Sequence, residues 1–270
     1  MKLKPTKCHF VKEKVEYLGH LVSAKGLEPN PDKVRIVQEF PRPQSTTDVR
    51  SFLGIATYYR RFIPHFAQIA APLNKLTSKN VKFFWDTDCQ IAFDTLKQKL
   101  MSAPVLAYPD FELPFHLYVD AGQESLGLTL GQIVDGQEVV IAYAGRGLNK
   151  AERNYSSCER EALAVIEGIK KFRVYLYDRH FKIHTDNSAV RWLMSIQDLA
   201  GRLALWSLLL QPFDFEIIHR PEKSNGNADA LSHRPYTTCR FDDALIANLT
   251  TTNIKLTAGR FITSSHDTVS

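Results

Sequence analysis

Residues 115–122 read FHLYVDAG, and residues 125–144 read SLGLTLGQIVDGQEVVIAYA. In the first stretch apolar and polar side chains alternate with a period of two, which predicts a half-buried strand. The second stretch predicts strands over 125–134 and 137–144, because Asp135-Gly136 is a strong signal for a two-residue hairpin turn. Three consecutive antiparallel strands are therefore the expected start of a sheet.

Beyond residue 150 the sequence alternates between helical and strand patterns. A capping box from Ser156 to Glu159 opens a long helix. The elements expected after it are a strand over 180–185, helical segments over 187–196 and 200–211, a strand over 213–219, and a last helix over 228–233 that Asn227 caps. This order predicts an α/β unit of about 125 residues. The Thr/Ser-rich residues 237–270 show weak periodicity, and we expect them to be disordered or loosely attached.

The residues before Pro104 predict a smaller and mostly helical region. Residues 8–24 are expected to form a hairpin in which CHFVK and VEYLGHLVS supply the strands. The helices expected next cover residues 32–39, a segment from Ser45 or Thr46 to before Pro64, and residues 67–77 and 87–101.

Composition excludes several classes of protein. The 270 residues are 44% hydrophobic and 23% charged, as in globular chains. The 4 cysteines lie far apart without a CxxC pair, which excludes a disulfide scaffold or cysteine-rich zinc site and fits a reducing compartment. No apolar run is long enough to span a membrane, and the basic N-terminus has no signal-peptide core. We therefore expect a soluble intracellular protein, cytoplasmic or nuclear, with no membrane partner.

The net charge of +5 is unevenly distributed. Residues 1–80 hold 14 Lys and Arg against 6 Asp and Glu, whereas residues 81–270 hold 20 against 23. A basic front half indicates a part that binds a polyanion, and ordinary solvated lysines explain the same charge equally well.

Four acidic residues lie at positions where acidic side chains without a function are uncommon. Asp120 and Asp186 each end an apolar strand, where α/β sheets commonly build their sites. Glu161 lies on an otherwise apolar helix face, and Asp229 lies in the first turn of the last helix. Each alone has a structural explanation. An aspartate at the end of a strand commonly forms a turn, and the negative charge of Asp229 interacts favourably with the helix dipole at the N-terminus of the last helix.

The order strand-Asp, helix-Glu, strand-Asp, helix-Asp resembles that of the ribonuclease H family, over residues 104–236. Within that family, the chain is similar to the RNase H domain of gypsy-type LTR retrotransposons. The stretches that carry the likeness are LYVDAG, IAYAGRGLNKAERNYSSCEREALAVI, FRVYLYDRHFKIHTDNSAVRWL and FDFEIIHRPEKSNGNADALSH. The resemblance implies an α/β, RNase H-like fold with a five-stranded mixed sheet and helices, preceded by a small, mostly helical thumb and connection region.

The front of the chain resembles part of the adjoining reverse transcriptase of the same polyproteins. The matching stretches are KCHFVKEKVEYLGHLVSAKGLEPNPDKV, RSFLGIATYYRRFIPHFAQIAAPL and WDTDCQIAFDTLKQKL. The domains implied are a primer-grip-like hairpin from the end of the palm (1–27), a thumb-like helical region (28–78), a connection (79–110), the RNase H domain (111–236) and the tail (237–270).

The resemblance assigns metal ligation and catalysis to Asp120, Glu161, Asp186 and Asp229. Two carboxylates about 4 Å apart repel by roughly 4 kcal/mol at an effective dielectric of 20, so such a cluster needs cations. Oxygen ligands select Mg²⁺ or Mn²⁺, and two such ions clamp a phosphodiester in this class of nuclease. The implied substrate is the RNA strand of an RNA/DNA hybrid, which its 2′-OH groups distinguish from DNA.

Three further positions are candidates from the same resemblance. His219, at the end of the last strand, corresponds to a histidine that assists proton transfer or product release in many RNases H, and a solvated strand-end histidine is the alternative. Arg60 and Arg61 form a basic pair that fits contacts to phosphates, with a solvated helix end as the alternative.

The sequence departs from its relatives in ways that bear on function. Gly145-Arg146-Gly147 stands where Ser-Arg-Ser is usual, and no Tyr-x-Asp-Asp motif occurs in the chain. We therefore expect an RNase H that lacks the polymerase site and that works as a homo-oligomer or with a polymerase segment in trans. The alternative is an inactive retroelement remnant or a co-opted nucleic-acid-binding module. A transposase or integrase core is disfavoured, because the NADALS helix matches RNase H far better.

Overall fold

The computed structural model describes residues 12–79, 81–186 and 201–219. In these ranges the strands are β1 Lys14–Tyr17, β2 His20–Ser23, β3 Gly26–Pro29, β4 Phe115–Ala121, β5 Ser125–Val134, β6 Gln137–Gly147, β7 His180–Thr185 and β8 Asp214–His219. The α-helices are α1 Pro31–Gln38, α2 Thr46–Tyr58, α3 Phe66–Ile69, α4 Ala71–Leu76, α5 Thr87–Met101, α6 Ser157–Lys171, α7 Arg173–Leu176 and α8 Gly201–Leu210. None of the helices described here is long and apolar enough to cross a membrane.

The larger sheet has the strand order β6-β5-β4-β7-β8. Strands β4, β5 and β6 pair antiparallel, and β7 and β8 extend the sheet in parallel from β4. Asp135 and Gly136 both have positive φ (51° and 77°), as a tight hairpin turn between β5 and β6 requires. The predicted five-stranded mixed sheet is confirmed.

Helix α6 covers one face of this sheet. Its N-terminus is the predicted capping box, in which Ser156 Oγ accepts from the Glu159 backbone N–H and the Glu159 carboxylate accepts from that of Ser156. The apolar side chains of β4, among them Leu117, are buried in the core beneath α6. Alternation along β4 therefore places His116, Tyr118 and Asp120 on the side of the sheet away from α6.

The front helices form a second core that packs against the same sheet. Phe52, Phe93 and Leu96 are buried within it, and Val140 and Tyr143 of β6 pack against it from the sheet. The segment after α5 also joins the two parts, because Leu106 exchanges backbone hydrogen bonds with Leu27 of β3 and the next residue, Ala107, donates its backbone N–H to the Val140 carbonyl of β6. The helical unit thus covers the β5–β6 end of the sheet on the side away from α6.

The first hairpin differs from the expected one. Its turn is Leu18-Gly19, where both residues have left-handed φ (48° and 69°), and the strands on either side of it are β1 from Lys14 and β2 up to Ser23. The pattern also missed β3, which pairs antiparallel with β2. The Tyr58 and Tyr59 hydroxyls donate to the Leu18 and Gly19 carbonyls and hold the turn from a distance of 40 residues in sequence. Residues 8–11 of the expected first strand lie outside the described residues.

The helix expected over 67–77 is two helices, α3 and α4. Pro72 lies in the first turn of α4 and has no N–H to continue the hydrogen-bond ladder of α3. The predictions for residues 187–196, for Asn227 with residues 228–233, and for the tail 237–270 fall outside the described residues. The domain boundaries at residues 28, 79 and 111 stay predictions.

The unusual Gly145 has a packing reason. A Cβ at this position would lie 2.4 Å from the Leu126 carbonyl oxygen of the neighbouring strand β5. Strands β5 and β6 approach too closely there for a serine, the usual residue in the relatives described above. The close approach of β5 and β6 therefore accounts for the glycine at residue 145.

Candidate active site

Asp120 and Asp186 lie at the same edge of the sheet. Asp120 is the sixth residue of β4, and Asp186 directly follows β7, the parallel neighbour of β4. The pKa of Asp186 is raised by partial burial and, next, by the negative charge of Asp120. The two carboxylates that the sequence placed at strand ends are thus close enough to repel each other.

Glu161 brings a third carboxylate to this edge from helix α6. Its side chain accepts a hydrogen bond from the Ala121 backbone N–H at 3.1 Å and another from the Thr185 hydroxyl at 3.4 Å. Glu161 is only 4% exposed. Burial, and then the charges of Asp186 and Asp120, raise the pKa of Glu161 to about 8. The helix therefore presents an acid that holds its proton until a positive charge balances it.

His219 lies at the same end of the sheet. It is the last residue of β8 and pairs in register with Thr185 of β7, next to Asp186. The positive charge of His219 opposes the rise in the Asp186 pKa, which places the imidazole within electrostatic reach of that carboxylate. Asp229, the fourth acid of the prediction, lies outside the described residues.

The donor set has the chemistry of a site for a hard divalent cation. The raised pKa values of Glu161 and Asp186 show that their negative charges are unfavourable there, so a cation would stabilise them. Carboxylate oxygens are also the ligands that Mg²⁺ and Mn²⁺ prefer. Across residues 12–79, 81–186 and 201–219, no three His, Cys, Asp or Glu side chains already form a closed group that could hold an ion. Ligation by these acids stays a prediction.

One histidine at the site comes from the front helical unit, and no sequence pattern indicated it. His65, which directly precedes α3, places Nδ1 3.5 Å from Oδ2 of Asp120. The two residues are far apart in sequence and belong to different cores, so no periodicity or spacing relates them. Only the packing of α3 against β5 and β6 brings them together.

A pair of histidines, His116 and His184, lies on the face of the sheet that carries Asp120. His116 Nδ1 lies 2.9 Å from His184 Nε2, and the His184 ring stacks on Tyr118 with centroids 4.4 Å apart. Burial lowers the pKa of His116, which keeps this imidazole neutral near pH 7. His184 thus packs in an aromatic stack beneath the acidic edge.

Arg60 and Arg61 lie in a short 3₁₀ turn after α2. Arg60 is exposed, whereas Arg61 is half-buried beside His20, whose pKa is lowered by burial and, next, by the Arg61 charge. Tyr58 and Tyr59, which precede them, bind the first hairpin through their hydroxyls. The pair is therefore fixed at the junction between hairpin and helices, and its contact with phosphates stays a prediction.

The chain resembles known proteins along most of its length. Residues 85–183 match the family model of the RNase H-like domain found in reverse transcriptase. The retrovirus-related Pol polyprotein from transposon opus of Drosophila melanogaster is 37% identical over 241 residues, which cover 85% of this chain and 24% of that protein. The corresponding polyprotein from transposon gypsy is 35% identical over 247 residues, covering 87% and 24%. This chain thus spans about a quarter of the length of these relatives.

A solved structure shows the same fold. The foamy viral protease-reverse transcriptase in complex with RNA/DNA hybrid aligns with a TM-score of 0.70 at 18% identity, covering 87% of this chain and 33% of that one. The expected likeness to gypsy-type elements is confirmed. Residues 85–183 therefore belong to the RNase H-like domain found in reverse transcriptase, within a chain whose homologues are retrovirus-related Pol polyproteins of transposons.

Proposed function

We propose that this chain hydrolyses the RNA strand of RNA/DNA hybrids with the help of divalent cations. The observation that carries the proposal is the position of Glu161. A buried glutamate, bonded to the residue after Asp120 and the residue before Asp186, has its pKa raised to about 8 by burial and by those two aspartates. A carboxyl group whose pKa is raised by burial and by neighbouring acids is typical of a functional site.

Asp120, Glu161, Asp186 and Asp229 are the proposed ligands of two Mg²⁺ or Mn²⁺ ions. When bound, the ions supply activation of a water nucleophile and stabilisation of charge on the leaving 3′-oxygen. The residues of the chain fix where this chemistry occurs. Ala121 and Thr185 orient the Glu161 carboxylate through the two hydrogen bonds described above, so that it faces the edge shared with both aspartates.

His219 is the proposed proton carrier. It is exposed at the end of β8, beside Asp186, so it can exchange protons with water while it remains next to the acidic edge. Histidine is the side chain that most often transfers protons in enzyme active sites. We assign it to protonation of the leaving oxygen or to product release.

The substrate class rests on the relatives and on the basic front of the chain. A solved protein of this fold is described in complex with RNA/DNA hybrid, and others in complex with double-stranded DNA. In this chain the helical unit with Arg60 and Arg61 packs against the same sheet that carries the acids. Phosphate contacts there would hold a duplex, while 2′-OH contacts select its RNA strand.

The experiment is a gel assay of the purified full chain with end-labelled RNA/DNA hybrid. We expect cleavage of the RNA strand with Mg²⁺ or Mn²⁺, no cleavage in EDTA, and none of duplex DNA. Asp120→Asn should abolish cleavage and leave hybrid binding intact. Binding without cleavage by the parent protein, at every cation concentration, would instead favour the alternative of a nucleic-acid-binding module and overturn the proposed catalysis.

A further inference from the structure

The contact between His65 and Asp120 links the two cores at the acidic edge. His65 Nδ1 is 3.5 Å from Asp120 Oδ2, and the two side chains are 35% and 59% exposed. His65 lies outside residues 85–183, which match the RNase H-like family model. A side chain from the helical unit thus reaches the carboxylate at the end of the central strand β4.

The backbone around His65 fixes the direction of its side chain. His65 has a left-handed conformation (φ 54°, ψ 27°), which costs free energy for a residue with a Cβ. Its carbonyl accepts from the backbone N–H groups of Gln68 and Ile69, at 3.0 and 3.1 Å, so the turn is bound to the start of α3. Helix α3 in turn packs against β5 and β6. The imidazole is therefore held by a packed element and not by a free loop.

The strand beneath the ring leaves room for it. Gly127 of β5 pairs in register with Asp120. A Cβ on Gly127 would lie 3.0 Å from His65 Nδ1 and 3.6 Å from Asp120 Oδ2. Any larger residue at position 127 would press on the imidazole at the point where it meets the carboxylate. Glycine at this position therefore permits the approach of His65 to Asp120.

We propose that His65 is a positioning residue for Asp120, and this proposal rests on the proposed metal-dependent nuclease function. In its Nδ1–H form the imidazole faces one oxygen of the carboxylate and restricts its rotation, as side chains behind metal-ligating carboxylates commonly do. The helical unit then contributes to the nuclease site directly, in addition to any grip on the duplex.

The test compares His65→Gly with His65→Asn in the full chain. Glycine removes the side chain without strain at a positive φ, and asparagine also tolerates this conformation. The amide nitrogen of asparagine occupies about the same place as Nδ1, so it restores a donor toward Asp120. The matched control is His180→Gly, because His180 forms a similar pair with Asp214 (3.1 Å) at the opposite end of β7.

Titration calorimetry with Mn²⁺ alone gives a readout that is independent of cleavage. We expect His65→Gly to weaken Mn²⁺ binding by about 10-fold, His65→Asn to recover most of the affinity, and His180→Gly to match the parent. In cleavage assays, the Mg²⁺ concentration for half-maximal rate should rise in His65→Gly by a similar factor, while the KM for the hybrid stays the same.

The results distinguish the positioning role of His65 from the nuclease function on which it rests. A parent protein that binds Mn²⁺ and cuts hybrid, with equal or tighter Mn²⁺ binding in His65→Gly, would overturn the positioning role and leave the nuclease function standing. Failure of asparagine to improve on glycine would also count against it. A parent protein that neither binds Mn²⁺ nor cuts hybrid would overturn both proposals.

Discussion

The Glu161 carboxylate accepts a hydrogen bond, 3.1 Å long, from the backbone N–H of Ala121, the residue that follows Asp120. This contact joins helix α6 to the carboxyl end of β4 across 40 residues of sequence. Because Glu161 is buried, water cannot stabilise its charge, and ionisation depends on what else is present at the edge. Ionisation of this group should therefore contribute to the pH dependence of folding.

In metal-free protein, we expect Glu161 to contribute a fall in the free energy of unfolding as the pH rises from about 4.5 to about 8. The folded protein holds the Glu161 proton up to a pKa of about 8, whereas the unfolded chain releases it near the ordinary value of 4.5. Between these values the folded state binds more protons, so a rising pH favours the unfolded state. Urea unfolding in EDTA across this range measures the effect.

Glu161→Gln removes this titrating group, so the free energy of unfolding of the variant should fall less, or rise more, than that of the parent protein across this window. The control is Glu112→Gln, which removes an exposed acid far from Glu161 in the sequence. It should keep the parental slope of unfolding free energy against pH. Equal slopes for Glu161→Gln and the parent protein would show that the buried carboxylate is ionised in the folded state without cost.

Local patterns predicted most of the larger sheet and the positions of three acids. Three of these features depend only on residues close together in the sequence, so they can be recognised from it directly. They are the alternation in FHLYVDAG, the Asp135-Gly136 turn and the Ser156 capping box. Asp120 and Asp186 were likewise recognisable, because a strand end is a local feature and parallel neighbours share an edge.

The remaining features depend on contacts between distant segments. Tyr58 and Tyr59 hold the Leu18-Gly19 turn, and no pattern within residues 8–24 indicates that they do. The contact between His65 and Asp120 forms only because the two cores pack against each other. The hydrophobic periodicity of either part does not indicate how the two parts pack. A histidine therefore lies at the edge where the acids were expected, although no sequence pattern indicated it.

Arg146 should contribute to stability through a partly buried network. Its guanidinium donates to both Glu152 oxygens, at 2.7 and 3.0 Å, and to Glu167 at 3.1 Å. Arg146→Met leaves the buried Glu152 carboxylate without its positively charged partner, and we expect a loss of about 2 kcal/mol in the free energy of unfolding, reduced from the full cost because Arg146 is one-third exposed. Urea unfolding at neutral pH measures it.

The matched control for Arg146 is Lys14→Met. Lys14 pairs with Glu28 at 3.2 Å on the surface, where an ion pair contributes at most about 1 kcal/mol. Equal losses for Lys14→Met and Arg146→Met would contradict the assignment of the Arg146 network to the stability of the fold.

The basic pair of the front unit should appear in the salt dependence of hybrid binding. Each phosphate contact contributes about 0.9 to the slope of log K against log salt. We expect Arg60→Ala to lower the magnitude of the slope by about one and the double variant with Arg61→Ala by about two. Binding is measured in EDTA, where no cleavage occurs, with Arg173→Ala on α7 as the control. Unchanged slopes would show that neither arginine contacts a phosphate and that both belong to the solvated surface.

Asp186→Asn should separate catalysis from folding. Asparagine keeps the shape of the side chain and removes its charge, and the pKa of Asp186 is already raised by partial burial and by Asp120. Loss of that charge relieves repulsion at the edge, so metal-free stability should be unchanged or slightly higher. Cleavage of hybrid should nevertheless fall by orders of magnitude, because the variant lacks the anionic oxygen proposed to hold the cation.

The control for Asp186→Asn is Asp214→Asn, which removes an acid from the other end of the sheet, where Asp214 pairs with His180. That variant should cut hybrid at the parental rate. Parallel loss of stability and activity in Asp186→Asn would make Asp186 a structural residue. A folded Asp186→Asn protein that cuts at the parental rate would place the chemistry elsewhere on the chain, since a carboxylate that holds the cation cannot be neutralised without cost to the reaction.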